Sequence, residues 1–215
     1  MRAVRGYLFC FFKYSLYSLE NKETFKLSAR PDFLFQSWTK ADDIPDFEIE
    51  GMSIGDSLLD HFSENEIKKS LNDKLVYPAS DKFSQIDPFK EYIIYDNVSF
   101  SIKKDDKKYI IYQLKGILNY NNKIKECFNK KEKIVNEISS ILENFNEDAY
   151  TGDFAGKAGK SKAYITEFIL SKGSIRIWCS EWDKKHEKTK NWTDSLNVDV
   201  SKKEYLNWLD NEAYK

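Results

Sequence analysis

Two histidines are the residues best suited to acid–base chemistry near neutral pH. His61 and His186 are far apart in the sequence, and His186 is close to Asp183 and Glu187. This spacing matches no metal-binding signature, and a serine triad would have to recruit one histidine through the fold. The enzymatic hypothesis is a small hydrolase that uses His186 and acidic residues near the loop 146–162. The sequence predicts no cofactor and no metal.

A basic, glycine-containing segment resembles a phosphate-binding loop. It comprises Gly156-Lys157-Ala158-Gly159-Lys160-Ser161. The phosphate-binding motif needs a glycine five residues before Gly159, where this chain has Phe154, and it must connect a strand to a helix. Here a predicted helix precedes the segment and a predicted strand follows it. We therefore interpret these residues as a solvated basic turn.

The clearest binding signal is a pair of tryptophans on a predicted strand, residues 175–182. Alternation places an apolar set on one face: Ile175, Ile177 and Cys179. The other face carries Arg176, Trp178, Ser180 and Trp182. Exposed aromatic side chains of this kind mark surfaces for sugars or protein partners, so Trp178, Trp182 and Arg176 are the candidate binding residues. In the competing interpretation, a closing helix covers both tryptophans through Trp208 and Leu209.

Three cysteines occur, and two of them are placed to meet. Cys127 lies on the apolar stripe of a predicted helix with Ile124 and Phe128, and Cys179 lies on the apolar face of its strand. Removal of a leader that contains Cys10 would leave an even pair, as an oxidising compartment favours. We predict a disulfide between Cys127 and Cys179. The alternative is two reduced cysteines that pack as small hydrophobic residues.

The periodicity of apolar residues predicts an α+β fold. Two short helices are expected within residues 53–71, followed by a hairpin of strands 92–102 and 109–118. A long amphipathic helix is expected over residues 122–145, where apolar residues recur at helical spacing. The 146–162 loop then leads to a second group of strands.

These later strands are expected over residues 163–170, 175–182 and 196–200, before a closing helix capped by Ser201 and Glu204. We predict an antiparallel sheet of about five or six strands packed against one long helix, with short helices at the start and end. Residues 42–215 would form a single domain. A weak duplication of an α-β-β unit would divide that domain into 42–120 and 121–215.

Composition excludes some classes of partner. The chain has 34 basic and 35 acidic residues, so no overall field would attract nucleic acid. The apolar run near the N-terminus is too short to span a bilayer, which needs about 20 apolar residues. Arg2 and Arg5 precede this apolar run, and a second segment ends at Ala41 in the small residues that a signal peptidase prefers. We therefore interpret residues 1–41 as a leader or a disordered arm. A leader predicts a periplasmic or secreted protein.

Several segments carry a resemblance to a known group of proteins. They are Glu48 to Leu59, Asn122 to Cys127, the turn Gly159-Lys160-Ser161, and Cys179 followed by Trp182. Over roughly residues 42–210, this pattern resembles an uncharacterised family of small exported proteins of AT-rich marine bacteria. The resemblance implies export and assigns no activity. Residues 1–32 depart from the signal peptide that usually precedes such sequences.

A fainter likeness concerns fold alone. Gly51-Met52-Ser53 before a short apolar helix and antiparallel strands is similar to BamE-type envelope modules, although the glycine that follows the helix in those modules is missing. Together these features favour a non-catalytic envelope or secreted binding protein over a small exported hydrolase. Its partner would be a protein or small-molecule ligand, and neither the ligand nor the oligomeric state follows from the sequence.

Overall fold

The structure is a computed structural model that describes residues 41, 43–71, 77, 79–154 and 159–214. The leader predicted over residues 1–41 lies outside the described residues except for Ala41. The described part begins with small elements. They are a 3-10 turn (Ile44–Asp46), the hairpin strands β1 (Glu48–Ile49) and β2 (Met52–Ser53), a second 3-10 turn (Leu58–Asp60) and helix α1 (Glu64–Lys69).

The remaining elements form the body of the protein. They are β3 (Phe83–Ile86), β4 (Asn97–Lys103), β5 (Gln113–Asn119), α2 (Ile124–Ile141), β6 (Asn146–Asp153), β7 (Lys162–Ile169), β8 (Gly173–Glu181), α3 (Lys184–Lys190), β9 (Ser195–Lys202) and α4 (Lys203–Trp208). A π-helical turn, Leu209–Ala213, continues α4.

The main sheet has the strand order β3-β4-β5-β9-β8-β7-β6, and every neighbouring pair is antiparallel. This confirms an α+β fold with a large antiparallel sheet. The prediction of five or six strands is wrong, because the sheet has seven strands within the described residues. The sequence pattern missed the two edge strands. β3 has only four residues, and β6 is almost entirely polar and lies in the stretch interpreted as a loop.

The helices are shorter than predicted. The expected helix over 122–145 is α2, which has 18 residues, and α1, α3 and α4 have six or seven each. The closing helix does not use the predicted cap, because Lys202 occupies the N-cap position without a side-chain hydrogen bond. Ser201 instead donates a hydrogen bond to Asp199, 2.6 Å away. Ser63 and Glu66 form a capping box at the start of α1.

The main core lies between one face of the sheet and α2. Cys127, Ile134 and Ile138 are the buried residues of α2, and the helix contacts β8 and β9. The strands contribute a continuous apolar layer: Val98, Phe100, Ile102, Leu114, Ile175, Ile177, Cys179, Leu196, Val198 and Val200. Each fully buried aliphatic side chain of this kind stabilises the fold by about 1.5–3 kcal/mol.

A disulfide links helix α2 to strand β8. Cys127 and Cys179 are bonded, with their Cα atoms 6.0 Å apart and both side chains fully buried. This confirms the predicted pairing and removes the alternative of two reduced cysteines. The bond fixes the helix on the middle of the sheet.

Candidate functional site

The three candidate binding residues lie in different surroundings. Ile175, Ile177 and Cys179 face the main core, as alternation predicts, so Arg176 and Trp178 belong to the opposite face of the sheet. Trp178 is only 8% exposed and packs with Ala163 and Ile165 of β7. It is therefore part of a buried cluster and not of an open aromatic surface.

The closing helix does not account for this burial in the way the competing interpretation expects. Trp208 packs in a separate cluster, with Phe83 at 4.9 Å and Tyr77 at 4.5 Å between ring centroids. Leu209 belongs to the same cluster. Trp178 packs instead beside the β7 and β6 edge of the sheet, next to Tyr150.

Arg176 is engaged in a polar network on the second face. Asp199 lies opposite both Arg176 on β8 and Lys115 on β5. The Arg176 guanidinium is 3.4 Å from Asp199 Oδ1, and Gln113 also donates a hydrogen bond to the Asp199 carboxylate. Burial opposes the charged form of Arg176, but Asp199 and Glu167 raise the pKa of the guanidinium above its ordinary value. Arg176 thus has a structural role between neighbouring strands.

Lys115 lies in the same buried environment as Arg176, but its pKa shifts in the opposite direction. Burial lowers the pKa of the Lys115 ammonium, against the opposing effect of Asp199. Buried groups of this face also retain unused hydrogen-bonding capacity, because Arg176 Nε and Ser174 Oγ have no hydrogen-bond partner among the described residues. The second face is therefore polar and buried near its centre, and some of its hydrogen-bonding groups are not satisfied within the described residues.

Trp182 belongs to a row of four rings at one end of the sheet. Its ring stacks on Phe154 at 4.3 Å between centroids, with 23° between the planes, and contacts Trp192 at 4.5 Å. His186 stacks on Trp192, at 5.6 Å between centroids and 14° between the planes. All four side chains are half-buried. We call Phe154, Trp182, Trp192 and His186 the aromatic row.

Four different segments supply these rings. Phe154 follows β6, Trp182 follows β8, His186 lies on α3, and Trp192 lies between α3 and β9. Only Trp182 and His186 are singled out by the sequence, and they are assigned to different hypotheses. The available signal is the placement of Phe154, Trp182 and Trp192 just beyond the ends of regular elements, where side chains from separate strands meet.

Asp183 holds the segments around the aromatic row together. Its backbone N–H donates to Ser161 Oγ at 2.9 Å, and its carboxylate accepts the N–H of Lys185 at 2.9 Å as the N-cap of α3. The N–H of Lys185 lowers the pKa of the Asp183 carboxyl below its ordinary value, and the N–H of Lys160 and the nearby His186 act in the same direction. The turn before β7 and the start of α3 are thus linked directly.

Gly159 permits the turn to approach this close. Its φ of +64° lies in the left-handed region, and an added Cβ would lie 3.1 Å from His186 Cε1. The turn connects β6 to β7, so it follows a strand and not the predicted helix. It does not lead into a helix as a phosphate-binding loop must. Residues 155–158 of this segment lie outside the described residues.

The residues of the hydrolase hypothesis do not form a recognisable catalytic arrangement. His186 Nδ1 is 3.6 Å from Asp183 Oδ1, too far for a hydrogen bond, and it has no hydrogen-bond partner among the described residues. The acidic side chains Glu147, Asp148 and Asp153 are exposed along β6. Within the described ranges, no three His, Cys, Asp or Glu side chains are grouped as metal ligands.

An open depression of about 460 Å³ lies elsewhere on the surface, lined by residues 143–146 and 169–171. Asn146 pairs with Ile169 at one end of the β6–β7 ladder, and Asp153 pairs with Lys162 at the other end, next to the turn that contacts His186. The depression is thus separated from His186 by the length of the β6–β7 ladder. It supplies no pocket for acid–base chemistry with that histidine.

No protein-family model, curated protein or solved structure matches this chain. In the part of the chain that the structure describes, no helix combines the length and the apolarity needed to cross a membrane.

Proposed function

We propose that the protein is a non-catalytic envelope or secreted binding protein, and that the aromatic row is its binding site. The observation that carries this proposal is the continuous ring contact along Phe154, Trp182, Trp192 and His186 at the end of the sheet, with two stacked pairs joined by the tilted pair of Trp182 and Trp192. Aromatic rings that remain partly accessible to solvent offer contact area at a small cost in conformational entropy, because each side chain has only two rotatable bonds.

The rigidity of the row supports binding. Asp183 connects the turn at Ser161 to the start of α3, so the rings of His186 and Trp182 are held on linked segments. A preorganised surface loses little entropy when a ligand binds. A ligand with flat, weakly polar faces that can stack on aromatic rings, such as an oligosaccharide, fits this surface.

The charges beside the row define a second property of the ligand. Helix α3 carries Lys184, Lys185, Lys188 and Lys190, with Glu187 as its acidic residue. Lys184 pairs with Glu187 at 2.9 Å, which leaves three of these helix lysines outside that pair. The surface beside the row is therefore basic, and an acidic or neutral saccharide suits it better than a basic ligand.

The disulfide supports the location of this function. A fully buried bond between Cys127 and Cys179 is typical of proteins that fold in an oxidising compartment. The family resemblance points the same way. We therefore assign the protein to the periplasm or the extracellular medium as part of the same proposal.

The proposal is tested by titrating the full chain with hexasaccharides of glucuronic acid, glucose and N-acetylglucosamine while tryptophan fluorescence is recorded. We expect at least one probe to bind and to shift the emission of Trp182 and Trp192. Trp182→Ala should weaken that binding by about tenfold or more, as for other central aromatic contacts. Phe89→Ser is the matched control, because Phe89 is fully exposed at a distant site.

Equal binding by wild type and Trp182→Ala, or no binding of any probe, would contradict the assignment of the aromatic row. The same samples are analysed for newly formed reducing ends. Cleavage that disappears in His186→Ala would support the hydrolase hypothesis instead.

A further inference from the structure

Large apolar side chains are exposed on a second region of the protein. Phe89 is 101% exposed and Ile93 is 69% exposed, while Leu59 and Leu71 are 44% and 39% exposed. Isolated exposed apolar residues are normal on a soluble protein, but these four lie on segments that touch one another. We call Leu59, Leu71, Phe89 and Ile93 the apolar surface.

Three contacts bring the segments of the apolar surface together. Leu71, just after α1, forms an antiparallel bridge with Ile86 at the end of β3. The N–H of Asp87 donates to the carbonyl of Ser70 at 2.9 Å. Lys90 Nζ lies 5.2 Å from the centre of the Phe62 ring, which follows the turn that carries Leu59.

The loop that carries Phe89 and Ile93 is held firmly. The carboxylate of Glu50 accepts three backbone N–H groups, those of Ile93 at 2.8 Å, Ile94 at 2.6 Å and Tyr95 at 2.9 Å. Ile94 and Tyr95 are buried, so the loop is anchored directly beside its exposed residues. Hydrogen bonds to a charged acceptor are about twice as strong as those between neutral groups.

The position of Glu50 indicates that this anchoring is specific. Glu50 has a φ of 56°, in the left-handed region that a residue other than glycine adopts at an energetic cost. It lies at the turn between β1 and β2, and Gly51 follows in the same region with a φ of 74°. The hairpin thus directs one carboxylate at the loop, and the loop presents Phe89 and Ile93 in a defined arrangement.

The charges around the apolar surface narrow the choice of occupant. The segments 58–71 and 86–93, which carry the apolar surface, contain five acidic and three basic residues, so these segments are acidic overall. Lys68 is paired with Glu64 at 2.7 Å, which removes one charge of each sign from this count and leaves four acidic residues and two lysines. An acidic rim opposes binding to an anionic bilayer, and it opposes self-association because two copies would bring like charges together.

We infer that the apolar surface is a docking site for a protein partner with an apolar pocket bordered by basic side chains. An apolar centre with a polar, charged rim is the usual anatomy of a protein interface. The site is independent of the aromatic row, because β3 and β6 form opposite edges of the sheet. Phe89 would insert most deeply, since its whole side chain is accessible.

The test begins with a photoreactive benzoylphenylalanine at position 89 in the full chain, produced in its native cells. A chain labelled at Ile169, which is 46% exposed elsewhere on β7, serves as the control. The protein that crosslinks only through position 89 is identified by mass spectrometry, purified and titrated with the unlabelled chain by calorimetry. We expect a defined complex with one partner.

Variants of the chain then measure the role of each feature. Phe89→Ser combined with Ile93→Ser should weaken the purified complex by about tenfold or more, while Ile169→Ser should leave it unchanged. Glu91→Lys should also weaken it and reduce its dependence on salt, because the rim would lose its complementarity. All these positions are exposed, so thermal unfolding should confirm intact folding.

Four results would overturn the inference. They are no crosslink above the Ile169 control, a crosslink between two copies of the chain, equal affinity for the Phe89/Ile93 double variant, or co-flotation with phosphatidylcholine–phosphatidylserine vesicles that the double variant loses. Oligosaccharide binding by the double variant is measured separately, so that failure of the aromatic row and failure of this docking site are distinguished.

Discussion

Asp194 is a buried carboxylate that contributes to the aromatic row through its neighbour. It is 1% exposed and accepts the backbone N–H of Trp182 at 3.0 Å. Burial raises the pKa of Asp194 above its ordinary value of 3.8. A raised pKa means that the folded state disfavours the ionised form, so ionisation costs stability above the folded pKa and costs nothing below the unfolded pKa.

Replacement of Asp194 by Asn tests this cost. The amide oxygen can still accept the N–H of Trp182, but no charge is buried, so we expect a higher melting temperature than wild type at neutral pH. The difference should shrink as the pH falls towards 3.8, where the wild-type carboxyl becomes protonated. Melting curves of both proteins across this pH range provide the measurement. A constant difference at every pH would show that ionisation of Asp194 is not involved.

Trp178 and Trp182 should respond differently to truncation. Trp178 packs against Ala163 and Ile165, so Trp178→Ala should cost about 3–5 kcal/mol of unfolding free energy through lost burial and a cavity. Trp182→Ala removes a half-buried ring and should cost less. Urea unfolding of both variants checks the order. If Trp178→Ala were the milder change, the buried cluster would not contribute as described.

The two faces of β8 are where sequence reasoning gave its most accurate result at this scale. Strict alternation assigns Ile177 and Cys179 to the core and Arg176 and Trp178 to the other face, because successive side chains of a strand point in opposite directions. Alternation cannot predict what lies over the second face. That depends on neighbouring strands, and here β7 supplies the side chains that enclose Trp178.

At the scale of elements, the disulfide is the covalent link between helix and sheet. The double variant Cys127→Ala/Cys179→Ala should lose about 4 kcal/mol of unfolding free energy, because the bond closes a loop of 52 residues in the unfolded chain. Guanidinium unfolding with and without a reductant measures the effect. The double variant is its own control, since reductant should not change its midpoint. An unchanged midpoint for reduced wild type would contradict this role.

Strand β6 and the aromatic row were not predicted from the sequence, for related physical reasons. The eight residues of β6 are polar or small apart from Tyr150, so they lack the alternation that identifies a strand. They form one because β7 offers an unpaired edge, and pairing satisfies their backbone groups. The aromatic row was not predicted because its formation depends on tertiary structure. Its rings come from the ends of four segments, and their proximity follows from the strand order, which the sequence pattern does not contain.

At the scale of the whole molecule, export remains a prediction, and it specifies the N-terminus of the mature protein. Processing after Ala41 would leave Asp42 as the first residue and keep Asp43, which is 6% exposed and accepts hydrogen bonds from Ser171 and the N–H of Ile44. We expect mature protein in the periplasm or medium to begin at Asp42 or a near neighbour, as checked by intact-mass spectrometry. Recovery of the full-length, folded chain from the cytoplasm would contradict the prediction.

The position of β9 has a consequence for the order in which the molecule can assemble. β9 pairs with β5 on one side and β8 on the other, although 75 residues separate the end of β5 from the start of β9. Until β9 has been synthesised, β3–β5 and β6–β8 can form only two separate half-sheets. Each half-sheet then has an unpaired edge where β9 will bind. Pairings this distant in sequence are slow to form. The sheet closes only after Lys202 has been made, so the two half-sheets remain unjoined and their edges at β5 and β8 remain unpaired until the end of synthesis.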